Sequence, residues 1–245
     1  MNIKVIGADV HVTPTNSNVD GFIPLKGGRG STIEEINDEL ENGLEEMFEA
    51  PPLFDAVICA NGGFAMDDDD DDDEDDTGGS ADNMMETNYY PVVAASQLLP
   101  FITPHAGLFI AFGAVAALAH PSDEDSPMQQ YIQSKDHVHS LIQNMGSVSG
   151  KAMHKSKKQE VIQLMRKYKC LPALTAVAIL PSTLDTEMNR QVMNPSQEDL
   201  EGWTRLEDVA GEIGRWMMME DLRPFSGSLV KCVTKGGKTD FVISR

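Results

Sequence analysis

Tyr131-Ile132-Gln133-Ser134-Lys135 puts a phenol and an ammonium four residues apart. On a helix that spacing projects both groups from one face, where the cation can approach the phenol. A free phenol ionises near pH ~10, and a neighbouring cation favours the phenolate and lowers that value. The pair could therefore move a proton at neutral pH. The same spacing also arises by chance in many helices, so its weight depends on its surroundings. Other chemistries have thinner support. His137 and His139 lie two apart on the same helical stretch and point apart, so no metal pair is expected. Cys59, Cys170 and Cys232 are scattered, odd in number and without CxxC spacing, which excludes a disulfide scaffold and a zinc site and fits a reducing cytoplasm. Cys59 sits in an apolar strand and reads as core.

Elements able to hold such a pair alternate along the chain. Strand-like runs at Ile3–Asp9, Val19–Leu25, Phe54–Ala60, Gly107–Phe112, Ala173–Leu180 and Ser228–Thr234 are separated by helical patterns. That alternation predicts an α/β, Rossmann-like doubly wound parallel sheet with helices on both faces. Ser31-Thr32-Ile33-Glu34 opens one helix with a possible capping box, and Ile33, Ile36, Leu40, Leu44 and Met47 form its apolar face. A second helix is expected from Met84 to Pro100, with Pro91 tolerated near its first turns. A third starts near Met128, and a fourth starts near Gln197 and contains Trp203 and Trp216.

The 245 residues carry a net charge of −20, but ten of the 39 acidic residues form the unbroken run Asp67–Asp76. Such a run repels itself and reads as a solvated loop without fixed structure, with weak Ca²⁺ binding or nucleic-acid mimicry as lesser alternatives. Lys151–Lys169 holds seven of the 19 basic residues and reads as a surface helix, or as a partner for the acidic loop. We expect a single domain over 1–245 with a disordered acidic insertion at 66–82 and a basic insertion at 150–169. The acidic balance argues against nucleic-acid and anionic-membrane partners, and no 20-residue apolar span is present. The first residues lack a secretory leader pattern.

Ordered blocks around the Tyr/Lys pair resemble the short-chain dehydrogenase/reductase family, and within it the quinonoid dihydropteridine reductases. Phe54–Gly63 resembles the family's fourth strand and its following turn, and Gly107–Ala114 resembles the fifth strand and its Gly-Ala turn. Tyr131 and Lys135 follow. Ile179–Arg190 is similar to the pteridine reductases' loop after the next strand. Trp203-Thr204, Arg223-Pro224 and Ser226–Leu229 complete the order. The resemblance implies reduction of a quinonoid dihydropteridine to the tetrahydro form (tetrahydrobiopterin recycling) with a nicotinamide cofactor, in a homodimer built on the helices Met84–Pro100 and Met128–Met145. It implies that Tyr131 donates the proton, that Lys135 tunes it and binds the nicotinamide ribose, and that Asn88 supports a water relay to the lysine. Ala114 stands where the wider family usually has a Ser. Asn61, Gly62 and Gly63 would pass under the cofactor, with Pro181 and Thr186 at its nicotinamide end. The glycines could equally be only a turn, and Thr186 only a helix cap. An Asp at the end of the Ile3–Asp9 strand would accept hydrogen bonds from the adenine-ribose hydroxyls and repel a 2′-phosphate, favouring NADH over NADPH; alternatively, Asp9 only forms a turn.

One departure stands out. In dinucleotide folds the ribose-binding acid follows a strand and Gly-rich turn by roughly 20 residues, and Asp9 lies too near the first residue for that. The central first strand and its phosphate loop are therefore expected to be missing, because the true start lies upstream or because the chain is a degenerate relative acting as a non-enzymatic interaction module. The chain as given is accordingly expected to bind NADH weakly. Unpaired apolar edges are expected at Ile3–Asp9 and Phe54–Ala60. Lys26-Gly27-Gly28-Arg29-Gly30-Ser31 resembles a phosphate turn but comes after Asp9, and reads mainly as a flexible turn.

Overall fold

The computed structural model describes residues 3–10, 19–26, 30–50, 52–64, 83–103, 106–119, 128–149 and 174–244. The acidic run, the basic stretch, Gly27, Gly28 and Cys170 lie outside the described residues.

Two strands carry the centre. β4 (Leu108–Phe112) and β5 (Thr175–Leu180) are almost wholly buried and apolar, as strands of a parallel sheet covered on both faces must be. They pair in parallel with each other, with β3 (Ala56–Cys59) on one side and with β8 (Ser228–Lys235) on the other. Successive side chains divide the core in two. Phe109, Ala111, Ala176, Ala178 and Leu180 meet Val138, Leu141, Ile142 and Met145 of helix α4 (Gln129–Ser149). Leu108, Ile110, Val177 and Ile179 meet Val209, Ile213 and Trp216 of helix α7 (Leu206–Met218) on the opposite face.

Among the described residues, β1 (Ile6–Asp9) and β2 (Gly21–Pro24) form a parallel pair of their own, separate from the five-stranded sheet. The break falls between β1 and β3, where the sequence led us to expect unpaired edges. Ile3 and Val5 are about half exposed, as is Ile58 on β3. Helix α1 (Ile33–Met47) ties the pair to the body, because Ile36, Leu40 and Leu44 pack between Ile23 of β2 and Ala94 and Leu98. Its start is a reciprocal capping box. Thr32 Oγ1 accepts from Glu35 N, and the Glu35 carboxylate accepts from Thr32 N.

Two expectations need correction, and one strand is added. The helix expected over Met84–Pro100 is α2 (Met84–Asn88), α3 (Tyr90–Ser96) and a 3₁₀ turn at Leu99–Phe101, because prolines in the first turns of the later pieces supply no N–H to the preceding turn. The helix expected from Gln197 through Trp216 is also broken. After α5 (Glu187–Met193), a short α6 (Gln197–Leu200) stops at Gly202, and α7 begins only at Leu206. Between them, β7 (Thr204–Arg205) pairs with β6 (Leu184–Asp185), so Trp203 is buried outside any helix. The added strand, β9 (Lys238–Ser244), returns antiparallel on β8 through Gly236-Gly237, both at positive φ, as a two-residue hairpin turn requires.

Candidate active site

The C-terminal ends of β3 and β4 face one side of α4, and the residues singled out by type converge there. Lys135 is 4% exposed, and its Nζ donates to the Phe112 carbonyl at 3.1 Å. Its ammonium also lies over the Tyr131 ring, 5.9 Å from the centroid. Asn88 is fully buried, and its amide spans the loop after β3. Gly63 N donates to Asn88 Oδ1 at 3.0 Å, and Asn88 Nδ2 donates to Gly63 O at 3.1 Å. The same Nδ2 donates to Ser134 Oγ at 3.1 Å, which in turn donates to the Tyr131 carbonyl at 2.7 Å. Asn61 Nδ2 donates to Thr87 O at 3.0 Å. Asn61, Gly62, Gly63, Asn88, Tyr131 and Lys135 thus form one hydrogen-bonded and packed cluster.

Gly62 has a reason to be glycine. Its φ is +150°, and a Cβ there would stand 2.8 Å from Lys135 Nζ and 2.9 Å from Asn88 Oδ1. The missing methyl leaves the ammonium beside bare backbone.

Burial sets the ionisation. It pushes Lys135 down from its ordinary 10.5 to about 8. It pushes Tyr131 up, which reverses the expectation that the lysine would lower the phenol. The ammonium is directed at Phe112 O and sits over the ring face, while desolvation acts on the whole phenol.

Pro181 is buried, and its carbonyl accepts from Val115 N at 3.2 Å, which joins the ends of β4 and β5. Thr186 is the N-cap of α5, its hydroxyl accepting from Asn189 N at 3.1 Å. The loop around it is tied to itself: Arg190 Nη2 donates to Asp185 Oδ2 at 2.7 Å, and Asn189 Nδ2 donates to Leu184 O at 2.8 Å. Asp9 stands apart, exposed at the end of β1, with its carbonyl accepting from Leu25 N. Lys26 N donates to the Glu39 carboxylate at 2.9 Å and Gly30 N to the Glu86 carboxylate at 2.7 Å, so acids already hold both of these N–H groups of the candidate phosphate turn.

The site also holds residues that sequence reasoning did not place. Ser134 lies inside the Tyr/Lys interval. Phe64 follows the glycines and meets the Tyr131 ring edge-on, centroids 5.1 Å apart. His139 repeats the Tyr131/Lys135 interval once more and accepts from Ala114 N at 3.2 Å through Nε2. His137 meets Tyr89 instead, so the two histidines do point apart.

No family model matches the chain. It is 30% identical over 225 residues to a dihydropteridine reductase of Dictyostelium discoideum, covering 91% of this chain and 82% of that protein. Among solved structures it is similar to a short-chain dehydrogenase from Burkholderia cenocepacia in complex with NADP, with TM-score 0.58, 17% identity and coverage of 89% and 77% of the two chains. A 4-hydroxyisoleucine dehydrogenase complexed with NADH also matches, with TM-score 0.58, 18% identity and coverage of 95% and 86%.

Proposed function

Because the chain belongs to the dihydropteridine reductases of the short-chain dehydrogenase/reductase family, nicotinamide-dependent oxidoreductases, we propose that it reduces a quinonoid dihydropteridine to the tetrahydropteridine with NADH. The observation that carries this reading is the buried Lys135 ammonium beside the side-chain-free Gly62, with Tyr131 one helical turn away.

These residues fit the nicotinamide-ribose half of a dinucleotide. Lys135 spends one N–H on Phe112 O and keeps two donors for ribose hydroxyls. Gly62 leaves the room such a group requires. The bound nicotinamide would supply the hydride. Tyr131, kept protonated by its burial, gives its phenolic proton to the pterin nitrogen that gains charge. Asn88 fixes the loop after β3 against α4 through Gly63 and Ser134, which holds Gly62 beside the ammonium. Pro181 and Thr186 border the nicotinamide end. Asp9 takes the adenine-ribose hydroxyls and disfavours NADPH.

The enzyme acts in the cytoplasm as a homodimer through the α2–α3 and α4 helices, and tetrahydrobiopterin recycling is its role. The decisive experiment follows loss of NADH absorbance by the gene product with quinonoid dihydropterin, and compares NADH with NADPH. Turnover with NADH preferred is expected. Turnover with simple carbonyl substrates but none with the pterin would overturn the substrate, and equal use of NADPH would overturn the role of Asp9. A monomer by light scattering would refute the dimer.

A further inference from the structure

His139 lies one helical turn beyond Lys135 on the inward face of α4 and is 2% exposed. Its Nε2 accepts the Ala114 N–H at 3.2 Å, which requires that nitrogen to be unprotonated. The ring lies against the Cα of Gly113, where any Cβ would run into His139 Nε2 and Leu180 Cδ2. One turn earlier, Lys135 Nζ donates to Phe112 O. Two successive rungs of α4 therefore grip the end of β4 on either side of Gly113. The lysine takes a carbonyl, and the histidine takes an amide.

We propose that His139 is a positioning residue of the reductase site. Through Ala114 N it locks the 112–114 turn onto α4, and so keeps the Phe112 carbonyl on the Lys135 ammonium. The Gly113 turn is anchored on its other side by Gly113 N to Ile179 O at 2.9 Å and Val115 N to Pro181 O at 3.2 Å. Among the described residues α4 packs against this stretch, and of its side chains His139 meets the Ala114 amide. The charged groups acting on the imidazole are Asp136 and Lys135, both on α4; burial lowers its ionisation most, Lys135 lowers it further, and together they outweigh Asp136 and hold it down to about 4. The ring therefore stays an acceptor throughout the physiological range.

This inference rests on the function proposed above, but its test has an arm that does not. His139→Leu removes the acceptor, while His139→Gln can offer an amide oxygen near the position of Nε2. In the chain without cofactor, ¹⁵N-lysine NMR, assigned with Lys135→Met, should find Lys135 ionising near 8 in the native protein and in His139→Gln. In His139→Leu it should move towards the ordinary 10.5, because a released turn lets water reach the ammonium. In turnover, His139→Leu should lose about tenfold in kcat at temperatures where circular dichroism shows it folded, with KM for the pterin changed much less, and His139→Gln should recover most of it.

Unchanged Lys135 ionisation in a folded His139→Leu would overturn the proposal. So would equal loss in both variants, which would make the ring's bulk the important feature. If the native protein failed to turn over the pterin, the proposed function would fall and the lysine titration alone would decide. If His139→Leu did not fold, ¹⁵N-histidine spectra of the native chain would decide: an unprotonated Nε2 at neutral pH is expected, and a protonated Nε2 overturns the proposal.

Discussion

Replacing Lys135 by Met should stabilise the protein while destroying its function. An ammonium moved from an ordinary ionisation of 10.5 to about 8 is disfavoured in the folded chain by roughly 3 kcal/mol. Methionine has nearly the same length and no charge to desolvate. Against that gain stands the lost bond to Phe112 O, worth about 1 kcal/mol and more if water cannot reach the carbonyl. A net gain of about 2 kcal/mol at pH 7 follows, or roughly 4–8 °C in Tm for a chain of this size. The pH dependence is the sharper signature. Below pH 8 the lysine is charged in both states and the penalty is complete. Between 8 and 10.5 the unfolded chain holds the proton that the folded chain has released, so the native protein gains stability as pH rises. The advantage of Lys135→Met should therefore shrink by about 3 kcal/mol across that window and can change sign above it. Urea unfolding of both proteins between pH 7 and 10.5 measures it. A variant less stable than the native chain at pH 7, or a gap that does not change with pH, would refute the argument that desolvation governs this lysine.

Other expectations follow from the same cluster. Tyr131→Phe should lower kcat about tenfold or more and leave NADH affinity by fluorescence titration within about twofold, because the phenol acts only as charge develops on the pterin. The loss is smaller if water can protonate so electrophilic an acceptor. Gly62→Ala forces a side chain into a +150° φ and against Lys135 Nζ, and isothermal titration should show NADH affinity weakened about tenfold or more. His139, folded near 4 and ordinarily 6.5, takes up its proton first in the unfolded chain, so stability present above pH 6.5 is lost as pH falls to 4. Thermal melts over that window should show His139→Gln losing about 3 kcal/mol less than the native chain.

The unbroken apolar runs of β4 and β5 determined a parallel sheet covered on both faces, since no polar position along them could face water. The Tyr131/Lys135 interval determined a shared helical face, and the run Ser31-Thr32-Ile33-Glu34 determined that α1 opens there with a capping box, which the structure forms between Thr32 and Glu35. These are local consequences of backbone period and side-chain chemistry, and one chain suffices to read them. The order of the resembling blocks was legible in the same way, and the Gly-Gly pair at 236–237 is a local hairpin signal of the same kind.

Only the tertiary structure decided what the site residues touch. Asn88 reaches Ser134 across 46 positions and Gly63 across 25, contacts that no local pattern encodes. The histidine beyond Lys135 could be a ligand, a surface group or an acceptor until the Ala114 amide was seen against it. The ionisation of the phenol depended on a balance between a nearby cation and burial, and spacing reports only the first. Burial is a property of the packed whole, so the sign of that balance could not be read from five residues. The diversion of Trp203 from the expected long helix has the same origin: the chain there bends so that β7 meets β6, and packing overrides a propensity worth only tenths of a kcal/mol per residue.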